Sequence, residues 1–132
     1  MKKLLFILLC LPFIGCGQTA EEYFEKGLEY AKNGEHNLAI DNYTKCIELK
    51  SADKILASAY YRRGFLYYEL GKNEDAISDY TRAIRIDPFR SELYYSRGAS
   101  KWHLKLDFCS DFKRGCDLGE HACCEWYDFQ CK

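Results

Sequence analysis

Apolar and small residues recur along this chain in one repeated register. The stretch from Tyr60 to Pro88 carries Gly64, Tyr67, Gly71, Ala76, Tyr80 and Ala83. The same register appears 37 residues earlier as Gly27, Tyr30, Gly34, Ala39, Tyr43 and Cys46. Tyr60, Tyr61, Arg63, Gly64 and Leu70 return 34 residues later as Tyr94, Tyr95, Arg97, Gly98 and Leu104. One position along from the glycines runs a second stripe at i, i+4, i+7 spacing: Phe24 and Leu28; Tyr61, Phe65 and Tyr68; Tyr95, Ala99 and Trp102. The pattern predicts seven helices, near residues 21–33, 36–49, 55–70, 73–85, 91–104, 107–117 and 120–130. Asn33-Gly34 and Gly71-Lys72-Asn73 are the turn signals between them, and Lys50 to Lys54 is a longer connection. A period of about 34 residues with two helices per period marks a unit that stacks on itself, because it cannot bury its apolar face alone. The expected fold is all-α: a short solenoid of three two-helix units with a C-terminal capping helix.

These residues resemble the tetratricopeptide repeat family. First helices carry a small residue (Gly27, Gly64, Gly98) where the second helix must come close. Second helices carry a small–aromatic–small ladder, Ala39, Tyr43 and Cys46, then Ala76, Tyr80 and Ala83. Pro88 closes the middle unit, where proline cannot continue a helix. The resemblance covers about residues 20–118 and implies a right-handed solenoid. Its units are 21–54, 55–90 and a shortened 91–118, followed by a cap at 119–132. The third unit departs from the pattern. Asp79 and Tyr80 map to Asp111 and Phe112, a step of only 32, and Lys101 replaces the aromatic of Tyr30 and Tyr67.

The resemblance also implies a function. In this family the second stripe lines a concave groove that holds an extended or helical segment of a partner protein. Here that stripe comprises Phe24, Leu28, Tyr61, Phe65, Tyr68, Tyr95 and Trp102. The family's clamp for acidic chaperone tails needs Lys and Asn at such positions. Phe24 and Leu28 instead suit an apolar or aromatic-bearing peptide. Because neighbouring first helices touch in so short a stack, part of the stripe doubles as core.

The chain's start reads differently. Lys2 and Lys3 precede an apolar run from Leu4 to Ile14, then Gly15 and Cys16. Such a segment is a secretory signal, too short to span a membrane permanently. Gly15-Cys16 resembles a bacterial lipobox, in which the cysteine is lipidated and becomes the new N-terminus. The expectation is a signal segment at 1–15, a short tether at 16–20, and membrane attachment through Cys16. Gly17 after the cysteine leans towards an outer-membrane lipoprotein facing the periplasm. A mature chain from Cys16 has 117 residues, with 17 basic against 20 acidic side chains. No basic run appears, so nucleic acid is not an expected partner.

Five cysteines crowd into residues 109–131. In an exported chain that density argues for disulfides. Cys109 and Cys116 lie seven apart on one helix face, as do Cys124 and Cys131. A hairpin centred near Glu120 sets Cys116 opposite Cys124 and Cys109 opposite Cys131. Cys109 and Cys116 also align with Ile77 and Ile84, which should face the next helix. Two rungs follow, Cys109–Cys131 and Cys116–Cys124. The latter spacing resembles the loop bridged in cysteine-rich two-helix repeats of secreted bacterial proteins. Two alternatives stay open. The thiols could be reduced core residues, or Cys116, His121, Cys123 and Cys124 could hold a metal, although adjacent cysteines suit a single ion poorly. Cys46 reads as core, and Cys123 has no evident partner.

Arg63 and Asp79 recur together as Arg97 and Asp111, whereas the first unit has Lys26 and Asn42. Joint retention and loss point to a partly buried ion pair between the helices of a unit. No catalytic constellation is visible: His36, His103 and His121 lie in different units, with no nucleophile or acid at a matching spacing. The expectation is a protein-binding module, not an enzyme, with no cofactor, metal or small-molecule substrate. Its rival is a redox or metal-binding protein that uses the C-terminal cysteines.

Overall fold

The computed structural model describes residues 17–132, so the expected signal segment and Cys16 lie outside the described residues. Among those described, the chain is all-helical: α1 (Ala20–Lys32), α2 (His36–Glu48), α3 (Asp53–Glu69), α4 (Asn73–Ile86), α5 (Ser91–His103), α6 (Cys109–Asp117) and α7 (His121–Gln130). Local chemistry sets several of these ends. At the start of α1, Thr19 Oγ1 accepts from the Glu22 N–H (3.2 Å) and the Glu22 carboxylate accepts from the Thr19 N–H (3.3 Å). The α6 helix begins two residues later than expected. The Asp107 carboxylate takes the Cys109 N–H (3.1 Å), and that local bond competes with an earlier helical turn.

α1–α2, α3–α4 and α5–α6 pack as pairs, and the pairs join through α2–α3, α4–α5 and α6–α7. First helices also touch in series, α1–α3, α3–α5 and α5–α7. The capping helix therefore sits where the first helix of a fourth unit would lie. Four helix ends close alike. The Glu35 N–H donates to Tyr30 O (2.9 Å) and the Gly34 N–H to Ala31 O (3.1 Å). The same two bonds recur from Lys72 and Gly71, from Leu106 and Lys105, and from Glu120 and Gly119. This closure needs a left-handed residue. Gly34, Gly71 and Gly119 supply it at φ +77°, +73° and +93°, but in the third unit Lys105 takes φ +56°.

Within each unit the second-helix aromatic lies on the first helix's glycine. A Cβ on Gly27 would stand 2.5 Å from a Tyr43 ring carbon, and one on Gly98 2.9 Å from Phe112. Tyr43, Tyr80 and Phe112 are accordingly buried, and with Ala39, Cys46, Ala59, Leu66, Ala76, Ala83 and Leu93 they form the core.

The arginine–aspartate pairs hold more than one unit. Arg63 grips Asp79 with two parallel bonds (both 2.8 Å) and sends Nη1 to Thr44 Oγ1 on α2 (2.9 Å). Arg97 repeats this with Asp111 (3.0 and 2.6 Å) and with Thr81 on α4 (3.1 Å). Each arginine thus ties its own two helices to the second helix of the preceding unit. Among the described residues no helix precedes the first unit, which has Lys26 and Asn42 at these positions. Asn42 bonds its own helix instead, donating to Leu38 O (2.8 Å). Lys101 places Nζ 2.8 Å from Asp111, so the third unit replaces an aromatic ring with a second cation on its buried carboxylate.

Candidate functional site

Three adjoining clefts run along the face built by α1, α3, α5 and α7. The first, of about 370 Å³, lies between α1 and α3 and is lined by Leu28, Lys32, His36, Tyr43, Arg62 and Phe65, with Ala31, Leu66 and Glu69. The second, about 100 Å³, lies among Phe65, Tyr68, Tyr80, Tyr95, Ser96 and Ala99. The third, about 80 Å³, shares Tyr68, Tyr95 and Ala99 with it and adds Trp102, His103, Phe112 and Trp126. Phe65 joins the first cleft to the second, and the two tyrosines join the second to the third. The result is one apolar groove with a polar end at α1.

Of the stripe read from sequence, Leu28, Phe65, Tyr68, Tyr95 and Trp102 line these clefts. Phe65 and Trp102 are the most open, at 42% and 40% exposure, although both are large and apolar. Phe24 and Tyr61 serve packing. Phe24 lies on Tyr43 at 5.7 Å and joins the core. Tyr61 lies on Tyr80 at 6.0 Å and is covered by the Arg90 guanidinium at 4.7 Å. Tyr95 shares both roles, since it lines the groove and rests on Phe112 at 6.0 Å.

Sequence reasoning missed four contributors. Trp126 falls outside the repeat register, yet α7 brings it against Trp102 (5.5 Å, edge-on) and Phe112 (5.6 Å, stacked). His103 has no catalytic spacing in the sequence, but its Nε2 lies 3.0 Å from the Tyr68 hydroxyl and so links α5 to α3 across the groove. Arg62 and Tyr43 meet at the polar end. Burial pushes the Tyr43 phenol up to about 12, with the Arg62 charge opposing part of that shift. The signal for the last two was their register, since Arg62 follows Tyr61 and Tyr43 belongs to the aromatic ladder.

The C-terminal cysteines lie apart from this groove. Cys109 is bonded to Cys131 (Cα–Cα 5.7 Å) and Cys116 to Cys124 (4.6 Å), stapling α7 to α6. Cys46 and Cys123 are free and buried. Cys123 packs on Gly115, and burial pushes its thiol up to about 12, aided by the nearby Glu120 and Asp111 charges. A thiol held protonated in this way is a poor nucleophile at neutral pH. His121 projects to solvent beside Glu125 (3.4 Å). Among the described residues no three metal-ligating side chains converge, and no helix is long and apolar enough to cross a membrane.

Comparison with known proteins follows the same lines. Two models of the tetratricopeptide repeat match, one at residues 20–53 and one at 57–89. Among solved structures, the Arabidopsis OM64 TPR domain is 30% identical with a TM-score of 0.69, over 77% of this chain and 84% of that one. The first TPR of Spaghetti (RPAP3), bound to the HSP90 peptide SRMEEVD, is 30% identical with a TM-score of 0.73, over 84% and 89%. The first TPR domain of human RPAP3 is 26% identical with a TM-score of 0.70, over 83% and 87%. No curated protein sequence matches significantly.

Proposed function

Because the chain belongs to the tetratricopeptide repeat family, we propose that it is a binding scaffold, held at a bacterial membrane, that grips an apolar or aromatic-bearing segment of a partner protein in its groove. One observation carries this reading. Phe65 and Trp102 stay about two-fifths exposed at the two ends of a continuous aromatic cleft, where a second chain could cover them. Aromatic side chains in such a setting supply most of the energy of an interface. The related Spaghetti domain holds a peptide, SRMEEVD. Here Phe24 and Leu28 replace the polar residues that a clamp for acidic chaperone tails needs, so the apolar middle of the groove dominates.

Attachment at Cys16 rests on the sequence: a basic start, an apolar run and Gly15-Cys16. Two acyl chains on that cysteine suffice for stable anchoring. The two disulfides fit an oxidising compartment outside the cytoplasm. They also favour a structural role for the cysteines over a redox or metal-binding one, and the chain is read as a binder and not an enzyme.

Site-specific photocrosslinking tests the groove. A photoreactive residue at Ala99 should give partner adducts in cells, and one at Arg85, on the outer helix α4, should not. Phe65→Ala with Trp102→Ala should abolish the Ala99 adducts while circular dichroism stays unchanged. Equal labelling from both positions, or adducts that survive the double substitution, would overturn the reading. Labelled fatty acid should enter the wild type and not Cys16→Ser; equal incorporation refutes the anchor.

A further inference from the structure

Two connections along one edge of the stack hold apolar side chains out to solvent. The helices of each unit run antiparallel, so first helices start and second helices end along the same edge. Ala20 of α1, Cys46 of α2 and Ala59 of α3 pack together there, with Tyr23, Ile47 and Ile55 around them. Beyond this cluster Leu49 closes α2 at 51% exposure, and Phe89, between α4 and α5, is 73% exposed. Ala52 and Pro88 are exposed as well. A fixed loop presents Phe89. Tyr94 Oη donates to the Pro88 carbonyl (2.9 Å) on one side of it. On the other, the Arg90 guanidinium lies over the Tyr61 ring (4.7 Å) and donates to the Glu92 carboxylate and to Ser58 Oγ (3.5 Å). The backbone is thus pinned on both sides of a large ring that the fold leaves uncovered.

The chain enters its fold at this same edge. Only Gly17, Gln18 and Thr19 separate Cys16 from α1, and three residues reach at most about 10–11 Å. α1 has 13 residues and is about 20 Å long. The opposite edge, where Leu70 and Leu106 are exposed, therefore lies beyond the reach of that tether. Charge disfavours lying flat on α1. Its exposed residues are Glu21, Glu22, Glu25 and Glu29 against Lys26 and Lys32, a face that anionic lipid repels. At the two connections Lys50, Lys54 and Arg85 offset Glu48, Asp53 and Asp87, so apolar contact decides there.

We infer that this edge is the membrane-facing surface of the protein, with Leu49 and Phe89 inserted into the interface of the bilayer that holds Cys16. The inference rests on the anchor reading above. Apolar side chains at such a surface bury roughly 5–10 Å into the boundary between headgroups and acyl chains. A rigid loop offers that depth and the short tether permits it. The clefts of the groove follow one another from α1 to α7, across the helix axes. A partner segment held there then runs parallel to the bilayer, within about one helix length, or about 20 Å, of it.

The test uses the full-length chain, expressed in a bacterium, purified and reconstituted into vesicles of phosphatidylethanolamine and phosphatidylglycerol. Mass spectrometry first reads fatty acid on Cys16. A photoreactive residue at Leu49 or Phe89 should then give phospholipid adducts, and one at Leu70 or Leu106 should give none. With the photoreactive residue at Ala52, Leu49→Ser with Phe89→Ser should lower the phospholipid adduct yield about tenfold, the loss expected when an exposed phenylalanine no longer buries. Both side chains project to solvent, so the melting temperature should not move. Absent adducts, equal adducts from both edges, protein-sized adducts at Phe89 that mark a second copy, or an Ala52 yield that ignores the double substitution each overturn the insertion and leave the anchor standing. A wild-type chain without fatty acid on Cys16 overturns both.

Discussion

Breaking the two disulfides should detach α7 locally and leave the rest of the stack folded. The links close loops of 22 and 8 residues. By the chain-entropy estimate they stabilise by about 3.4 and about 2.5 kcal/mol taken singly. The short loop is nested in the long one. Once it is closed, the outer loop shortens to roughly 14 residues and contributes about 3.0 kcal/mol, so together they give about 5.4 kcal/mol. Fixing the backbone of the ten-residue α7 costs about 1–2 kcal/mol per residue. Against that stand chiefly buried Cys123 and the half-buried Trp126. Solenoids fray from their ends, because each unit contacts only its neighbours.

The protein carries a direct reporter, since both of its tryptophans, Trp102 and Trp126, meet at the α5–α7 contact. Reduction, or Cys109→Ser with Cys116→Ser, should red-shift tryptophan emission. It should also lower amide-exchange protection in 119–132 by at least about a hundredfold, an opening shift of about 2.7 kcal/mol. Protection in α1–α4 should hold. Unchanged protection in α7 would show that side-chain packing alone secures it. A loss of protection along the whole chain would refute the local picture.

Three further outcomes are expected. Arg63→Met leaves Asp79 buried and unpaired and should cost about 3–5 kcal/mol in urea unfolding; Arg97→Met should cost less, because Lys101 still holds Asp111, and equal losses would contradict that. Lys105→Gly relieves a left-handed lysine and should stabilise by about 0.5–1 kcal/mol in the same assay. Burial raises the pKa of Tyr43 from its ordinary 10.0 to about 12 and raises that of Tyr80 further. Both phenols stay protonated in the fold while the unfolded chain ionises. Their contribution is therefore complete below pH 10 and is lost as pH rises towards 12 and beyond; Tyr80→Phe should flatten that alkaline decline in melting temperature.

Much of the architecture was legible because small and aromatic residues are forced to fixed positions wherever two helices meet at a glycine. The same register pointed to the cysteine pairs, since Cys109 and Cys116 stand where Ile77 and Ile84 face the next helix. The rest lay in contacts that leave no periodic trace. Thr44 and Thr81 fall outside the repeated small and aromatic register, although each accepts a bond from the arginine of the following unit. Trp126 belongs to a helix with no copy elsewhere in the chain, so nothing in the pattern marked it as part of the groove. Phe24 and Tyr61 share the stripe's spacing with Phe65, but they lie one turn earlier on their helices, where each meets the buried aromatic of its own unit's second helix, Tyr43 and Tyr80.

The capping helix has one more consequence. Any two-helix unit offers complementary front and back surfaces, and identical units can add to one another head to tail without limit, forming open filaments. In this chain the back surface, on α6, is already occupied by α7. The occupant is fixed there covalently by Cys109–Cys131 and Cys116–Cys124. An incoming copy meets α7's outer face, where Glu125 and Asp128 lie exposed, in place of a row of core positions. The disulfides thus cover the stacking surface of the last unit covalently, and the stack ends instead on α7's outer face, where Phe129 also stands exposed.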